Sequence, residues 1–304
     1  MEEFCLQITE EMGDERIDKC VSAFMAEKLS RSHIQKLIKE EKLLVNGKPV
    51  KVSYRVNAED EISFTVPEPI EPDIAAEDIP LDILYEDEHL LVVNKPKGMV
   101  VHPAPGHYEG TLVNALLFHC KGQLSGINGV LRPGIVHRID KDTSGSLVVC
   151  KNDFAHSRLA EQFKEHSITR KYYCICQGRL QEDGTVDKPI GRHPQDRKKM
   201  CVVTGAQSGR RAVTHYHVLE CFSGYTYAEC CLETGRTHQI RVHMAGIGHP
   251  ILGDMVYGKQ DYKGLGQILH AKTLGFVHPV TGSYLEVDAP LPDYFEKCLE
   301  SLMR

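Results

Sequence analysis

Hydrophobic residues near the start of the chain recur at the three-to-four residue spacing of an amphipathic helix. Asp14 or Asp18 can begin this helix, and we expect it to end near Lys28. Further along, Asn46-Gly47 lies between two short hydrophobic runs, and this dipeptide is typical of a tight β-hairpin turn. The pattern therefore predicts a small α/β unit in this part of the chain.

A second helix is predicted in this unit from about Arg31 to Lys42, with Ser30 or Ser32 as its cap. At about 100° per residue, its apolar side chains share one sector of the helix. That sector consists of Ile34, Leu37 and Ile38. A polar and basic stripe lies beside the sector and consists of Arg31, Gln35, Lys39 and Lys42. Such a stripe can face solvent or contact nucleic acid, and the spacing alone leaves both readings open.

Short apolar runs bounded by turn residues predict strands in the rest of the chain. The runs are Leu90 to Val93, Ser146 to Cys150, Arg170 to Gly178, Ala212 to Cys221 and Tyr225 to Leu232. Short turns between neighbouring runs favour antiparallel pairing over a doubly wound sheet. The expected fold class is α+β, with a mixed, largely antiparallel sheet in the main unit and the smaller α/β unit before it.

Two helices are predicted among these strands. Asn152 or Asp153 can cap the first helix, which should continue to about His166. Its inward side chains are expected to be Phe154, Leu159 and Phe163. The second helix is expected over residues 237–246. Its apolar side consists of Ile240, Met244 and Ile247.

Acidic residues are concentrated in one stretch of the chain. The net charge is −6, yet 12 of the 42 acidic residues lie between Val56 and Asn94, a stretch without Lys or Arg. The rest of the chain carries a formal charge of +6, so the whole-chain value does not argue against a polyanionic partner. Prolines in residues 66–73 are typical of an exposed linker, although a surface loop within one domain also fits. We expect domains at residues 14–75 and 80–304.

The sequence argues against disulfides, metal sites, nucleotide cofactors, membrane spans and secretion. Its 11 cysteines are irregularly spaced, and we expect them to be reduced rather than paired or metal-bound. His215 and His217 alternate on a predicted strand, but no third metal ligand stands at a fixed spacing from them. We find no nucleotide-binding glycine motif, and no apolar run typical of a membrane span or secretory signal. A cytoplasmic protein without metal, cofactor or membrane is therefore expected.

The densest group of ionisable residues lies just before the predicted strand at Ser146. His137, Arg138, Asp140 and Asp142 stand within six residues of one another. A charge at the mouth of a buried strand must be paired or must meet a ligand, because burying it alone costs several kcal/mol. Asp140 can therefore be a nucleophile held near a cation, or it can cap the turn that precedes the strand.

Four blocks in this order resemble the motifs of the RluA/RluD family of pseudouridine synthases. They are residues 94–103, 137–145, 169–178 and 234–254, and the resemblance runs from about residue 81 to residue 290. The second block has Ile139 where the family usually has leucine, a swap that keeps volume and polarity. The N-terminal unit resembles an S4 domain, a small RNA-binding module. By this resemblance, the stripe on its second helix is expected to contact RNA.

The resemblance also implies roles for single residues in the main unit. Asp140 matches the family's nucleophile, Arg241 the arginine that pairs with it, and Tyr172 the tyrosine that lies against the target base. Arg138 would enter the RNA helix in place of the extruded base. Two further residues of the motif are expected to contact the substrate RNA, namely His137 and Thr143. On side-chain chemistry alone, Tyr172 can also be an ordinary strand aromatic, and Arg241 a surface residue of its helix.

The activity implied is an isomerisation of uridine to pseudouridine in RNA, which needs no cofactor. It breaks the bond between C1′ and N1, turns the base and rejoins it through C5. The implied substrate is large-subunit ribosomal RNA, free or within a ribosomal precursor particle, and a monomer is the default state. The alternatives are a transfer RNA substrate and a non-catalytic assembly factor that only binds RNA. A glycosidase is excluded, because Asp140 and Asp142 are too close in one turn to face each other across a sugar.

Overall fold

The computed structural model describes residues 2–25, 29, 31–66, 74–104, 106–129, 132–196, 198–204, 208–258 and 262–303. The chain divides into two units, Met1–Glu71 and Pro72–Arg304. The predicted helix end near Lys28, the cap at Ser30 and nearly all of the proline-rich segment lie outside the described residues. Among the helices of the described residues, none has the length and apolar character needed to cross a membrane.

The N-terminal unit packs two helices against an antiparallel sheet. Its strands are β1 (Glu2–Gln7), β2 (Leu43–Val45), β3 (Lys48–Pro49) and β4 (Glu61–Val66). They lie in the order β1-β4-β2-β3, and the helices are α1 (Ile17–Phe24) and α2 (Arg31–Lys39). The predicted apolar sector of α2 is buried in the core of this unit. Asn46 and Gly47 take the left-handed conformation that the predicted hairpin turn requires, with φ of 50° and 71°.

The predicted start of α1 is wrong. Arg16 precedes the helix, and neither Asp14 nor Asp18 caps it. Asp18 instead lies fully buried in the first turn. Its carboxylate accepts hydrogen bonds from the side chains of Arg16, Arg31 and Gln35. Asp18 therefore resembles a helix cap in sequence, but in the structure its buried carboxylate links α1 to α2.

The predicted end of α2 is also wrong, by one turn. The helix ends at Lys39 and not at Lys42. Glu41 has a left-handed φ of 57°, and the N–H of Lys42 donates to the carbonyl of Leu37 at 2.9 Å. This closing turn sends the chain directly into β2.

A mixed sheet organises the main unit. Its strands are β5 (Ile83–Glu86), β6 (Leu90–Lys95), β7 (Ser144–Cys150), β8 (Thr169–Gln177), β9 (Gly184–Asp187), β12 (Val213–Phe222), β13 (Tyr225–Leu232), β14 (Leu269–Val277) and β15 (Tyr284–Asp288). Two short strands, β10 (Ile190–Arg192) and β11 (Met200–Val202), pair separately. The order is β5-β6-β7-β14-β8-β13-β12-β9, with β15 paired to β14. Within the described residues, β7 and β14 form the one parallel pair.

Helices cover both faces of this sheet. They are α3 (Leu112–Cys120), α4 (Asp153–Glu165), α5 (Gln239–Gly246) and α6 (Asp293–Leu302). Because strand side chains alternate, α3 and α5 share a core with one face and α4 and α6 pack on the other. Tyr172 joins the first core, whereas Tyr173 contacts the side of α6. The α+β class with a mixed, largely antiparallel sheet is thereby confirmed.

Helix α4 begins as predicted but presents one unexpected residue. The side chain of Asn152 caps it by accepting from the N–H of Ala155 at 2.9 Å. Phe154, predicted to point inward, is 54% exposed. It lies about 140° around the helix from the buried Leu159, whereas Phe163 lies about 40° away and packs on the core. The prediction for Phe154 is therefore wrong.

Gly145 lets β7 and β14 approach each other closely. Its φ is 110°, and a Cβ there would overlap the carbonyl oxygen of Ala271 on β14.

Gly145→Ala should therefore lower the free energy of unfolding by about 3 kcal/mol or more, through strain and overpacking together. Gly224→Ala is the matched control, since its φ is 81° but nothing lies within 4 Å of the added Cβ. Its expected loss is about 1 kcal/mol, and equal losses in denaturant unfolding would contradict this account.

Candidate active site

The loop before β7 carries the motif residues and is fastened to the sheet. The N–H of Thr143 donates to the carbonyl of Asp140 at 3.1 Å and closes a turn at the start of β7. His137 accepts from the N–H of Val148 through Nε2 at 3.0 Å, and its ring stacks on Phe163 with centroids 4.6 Å apart. Burial lowers the pKa of His137 to about 3, so this imidazole is neutral. Its described contacts anchor the loop.

A buried arginine holds the Asp140 carboxylate in place. Arg241 donates from Nη1 to Oδ2 of Asp140 at 3.0 Å. Its other two contacts go to Asp254, from Nε to Oδ2 at 2.7 Å and from Nη2 to Oδ1 at 3.0 Å. Arg241 is 6% exposed and Asp254 1% exposed. Arg241 is therefore not a surface residue of its helix, which sequence chemistry alone left possible.

The two carboxylates keep the Arg241 guanidinium charged. Burial by itself would lower the pKa of Arg241, but the hydrogen bonds and negative charges of Asp254 and Asp140 raise it above its usual value. The side chain of Asp140 is 26% exposed, so it is the accessible end of this triad. Asp254 is the last residue of the fourth motif block, and the sequence alone does not indicate that it holds Arg241.

Tyr172 and the Asp140 carboxylate line one cavity. Its other lining residues include Ile139, Thr143, Leu232, Ile240 and Leu269. Tyr172 is 9% exposed, and burial raises the pKa of its phenol, so the hydroxyl keeps its proton at neutral pH. Thr143 is also buried, and its Oγ1 accepts from Nε2 of Gln267 at 3.4 Å. The cavity thus combines apolar walls with one carboxylate, one phenol and several cationic or polar side chains, namely those of Arg138, Arg236, His238, Gln239 and Arg241.

His238 is a neighbour of Asp140 that sequence reasoning missed. Its Nε2 lies 3.9 Å from Oδ1 of Asp140, and its Nδ1 is 2.8 Å from the hydroxyl of Tyr257. The residue precedes α5 in a left-handed conformation with φ of 56°. Burial lowers the pKa of His238, against the opposing charge of Asp140. Its position within the fourth motif block was the available signal.

Two lysines, one fully buried and one half-buried, hold the backbone of the loop. Lys95 is fully buried, and its Nζ donates to the carbonyls of Pro96 and Met99 at 2.8 Å and of Lys141 at 3.1 Å. Lys97 donates from Nζ to the carbonyl of Asp142 at 3.1 Å. Burial lowers the pKa of Lys95 to about 7 and that of Lys97 to about 8. Both side chains therefore support the backbone that follows Asp140.

The stripe on α2 is partly neutralised within the N-terminal unit. Arg31 and Gln35 donate to Oδ2 of Asp18 at 2.9 Å and 2.6 Å. Burial alone would raise the pKa of Asp18, but these bonds and those of Arg16 lower it to about 2. Lys39 and Lys42 are both exposed, and Lys42 bonds to Glu40 at 2.8 Å. The two lysines are therefore the exposed cations of the stripe, and Lys42 shares its charge with Glu40.

One group of metal-binding residue types forms across the hairpin of β12 and β13. His217, Glu229 and Cys231 each offer a ligand atom, and these atoms lie within 4.8 Å of one another. The register places His217 opposite Glu229. Nδ1 of His217 already meets Asp183 at 3.0 Å. The sequence showed no third ligand for His217 because strand register is not visible in residue spacing.

Comparisons with known proteins show which families the sequence matches. The family model for RNA pseudouridylate synthase matches residues 89–246, and the S4 domain model matches residues 15–62. An uncharacterised RNA pseudouridine synthase of Bacillus subtilis, YlyB, is 51% identical, over 100% of this chain and 99% of its own length. Ribosomal large subunit pseudouridine synthase D of Zymomonas mobilis is 47% identical, over 97% and 96%.

Solved structures agree as well. Human RNA pseudouridylate synthase domain containing 4 superimposes with a TM-score of 0.59 and 27% identity, covering 73% of this chain and 93% of its own. The chain therefore belongs to the RNA pseudouridylate synthase family. Within that family it carries an S4 domain, and it is an RNA pseudouridine synthase, an isomerase whose partner is RNA.

Asp254 should be essential to the buried triad. In Asp254→Asn, Arg241 keeps one carboxylate instead of two, and its buried charge is only partly compensated. The free energy of unfolding should fall by about 3 kcal/mol. The control is Asp196→Asn, which removes an exposed partner 3.8 Å from Lys199 and should cost less than about 1 kcal/mol. Urea unfolding of both variants measures this difference, and a loss for Asp254→Asn as small as the control's would refute the triad's importance.

Proposed function

We propose that this enzyme isomerises uridines in large-subunit ribosomal RNA with Asp140 as its nucleophile. The observation that carries the proposal is the Asp140 carboxylate, which lines a cavity beside Tyr172 while a buried arginine holds it at 3.0 Å. A carboxylate can act as a nucleophile without a histidine base, and its guanidinium partner holds it in one orientation. It is therefore ready to meet an electrophilic carbon as that carbon loses its bond to nitrogen.

In the proposed reaction Asp140 acts at C1′ of the target uridine. The bond between C1′ and N1 breaks and the uracil leaves with the electron pair, while the carboxylate bonds to C1′ or stabilises its positive charge. The uracil turns within the cavity and C5 bonds to C1′, which breaks any bond between C1′ and the carboxylate and releases Asp140 in its starting form. The C5 proton is then lost and N1 gains one, so no external reagent is consumed. Arg241 aims the carboxylate throughout, because Asp254 fixes the guanidinium on its other side.

Tyr172 is proposed to hold the freed base. It lines the same cavity as Asp140 and comes from β8, whose pairing with β13 and β14 fixes the ring. A phenol ring can stack on uracil, and its hydroxyl offers a route for the C5 proton. The apolar neighbours Ile139, Leu232 and Leu269 would keep the detached uracil from escaping into water.

Arg138 is proposed to replace the extruded uridine in the RNA helix. It is exposed and lines the Asp140 cavity. Its Nη2 donates a long hydrogen bond, of 3.5 Å, to Oγ1 of Thr237. Extruding a base costs a few kcal/mol, and a planar cation that stacks in the gap offsets part of this cost.

Ribosomal RNA is favoured as the substrate by the relatives. Proteins named ribosomal large subunit pseudouridine synthase D, from Zymomonas mobilis and Pseudomonas aeruginosa, are 47% and 42% identical to this chain. We further propose a monomer that acts on free RNA or on a precursor particle in the cytoplasm. Transfer RNA is the alternative substrate, and an assembly factor without turnover is the non-catalytic alternative.

Asp140→Asn tests the nucleophile directly. Tritium release from C5-tritiated uridine in large-subunit ribosomal RNA should fall by about four orders of magnitude or more, while RNA affinity stays near that of the wild type. Asp142→Asn, two residues along the same loop, is the control and should keep measurable turnover. Unchanged release by Asp140→Asn would reject the mechanism. Release by the wild type from transfer RNA alone would reject only the substrate, and release from neither RNA would favour the assembly factor.

The exposed lysines of the stripe test the role of the N-terminal unit. Lys39→Gln with Lys42→Gln should weaken RNA binding and reduce the slope of log affinity against log salt by about two, because each phosphate contact contributes about 0.9. The control is Lys19→Gln with Lys48→Gln, two exposed lysines of the same unit that lie outside the stripe. Equal changes in the two double variants would show that the stripe has no special role.

A further inference from the structure

We propose that Arg170 and Arg236 form a phosphate subsite beside the Asp140 cavity, next to Arg138. It would hold a phosphodiester group of the RNA strand next to the target uridine, so this inference rests on the proposed function. The three guanidinium groups line one cavity of about 280 Å³. Asp140 lines that cavity too, which connects the subsite to the reacting nucleotide.

The three arginines are bonded to neutral acceptors. Arg170 donates from Nη2 to the carbonyl of Glu233 at 2.9 Å, and Arg236 donates from Nε to the carbonyl of Arg211 at 2.9 Å. Arg138 reaches only the hydroxyl of Thr237, at 3.5 Å. Within the described residues, none of the three forms an ion pair with a carboxylate. The carboxylate of Glu233 contacts Arg211 and His215 instead.

Arg170 makes this lack of a counter-charge significant. It is 7% exposed, and its buried Nε has no hydrogen-bond partner among the described residues. Burial and the nearby charge of Arg236 both lower its pKa. A guanidinium in such a place is costly unless an anion joins it. Arg241, the other deeply buried arginine of this region, is bonded to two carboxylates of the chain itself. The charge of Arg241 is thus compensated internally, whereas that of Arg170 is left for a ligand to compensate.

The cavity itself shows a positive field. His166 lies on its wall, and the pKa of this histidine is lowered first by burial and then by Arg170, Arg236 and Arg211. Guanidinium groups bind phosphate oxygens through paired N–H donors, a geometry that lysine cannot offer. Since Asp140 would act on C1′ of the same nucleotide, the anion closest at hand is a phosphate of that strand.

A phosphate bound here would fix the ribose of the target uridine relative to Asp140. Arg138 and Arg236 line both cavities, and so do Tyr172 and His238. The sugar that joins the base to its phosphate would therefore span from one cavity to the other. Loss of the subsite should weaken RNA binding and misplace C1′, whereas the carboxylate and its arginine partner stay intact.

The test pairs an arginine variant with a neutralised phosphate. The modified uridine is first mapped in ribosomal RNA, and a stem-loop is then made with a methylphosphonate, which is uncharged, at each flanking phosphate in turn. For the wild type, one such substitution should weaken affinity about tenfold or more, because a charge-assisted bond is lost. For Arg236→Gln the same substitution should have little further effect, since the bond is already absent. Arg236→Lys should recover part of the affinity but not the full coupling.

Arg158→Gln is the matched control, because Arg158 is exposed on α4 and paired with Glu161 at 3.8 Å. It should leave the methylphosphonate effect at its wild-type size. If the losses from Arg236→Gln and the methylphosphonate simply multiply at every flanking phosphate, the subsite is refuted while turnover of the unmodified stem-loop still supports the proposed function. If the wild type modifies no uridine in ribosomal RNA, both proposals fail, because the subsite is defined beside the modified nucleotide. Absence of RNA binding would overturn both.

Discussion

The geometry of the site depends on one buried cation. Arg241 is almost fully enclosed, and a guanidinium there is stable only with carboxylates around it. Asp254 takes two of its donors and leaves Nη1 for Asp140. The orientation of Asp140 is therefore set by Arg241 and Asp254, which are more deeply buried than Asp140. Helix α5, the turn at Asp254 and the loop before β7 must be folded together before the carboxylate has a defined position.

The same loop needs support for its backbone. Lys95 and Lys97 provide it by donating to the carbonyls of residues 141 and 142. Burying an ammonium group is unfavourable, and burial lowers the pKa of Lys95 to about 7. The arrangement is nevertheless stable because three carbonyls meet its nitrogen. Gly145 completes the support, since the chain turns from this loop into β7 against the backbone of β14.

Sequence patterns predicted what depends on neighbours along the chain. The strand runs, the cap at Asn152 and the Asn46-Gly47 turn are local features, and the structure has them. Contacts between distant residues were missed, apart from the pairing of Arg241 with Asp140 that the family resemblance implied. Asp18 looked like a cap because its partners Arg31 and Gln35 lie 13 and 17 residues away. Asp254 and the lysines stood inside recognisable motif blocks, but only the fold shows that they support Asp140.

The arginines around Asp140 fall into two groups that differ in which groups neutralise their charge. Arg241 is satisfied within the chain and serves structure. Arg138, Arg170 and Arg236 meet only neutral acceptors, so the free protein carries an unfavourable concentration of charge in one cavity. A polyanion that enters removes this cost, which concentrates binding energy beside the reacting nucleotide. In the N-terminal unit Asp18 neutralises part of the stripe, so the charge left there is exposed and suits looser, salt-sensitive contacts with RNA.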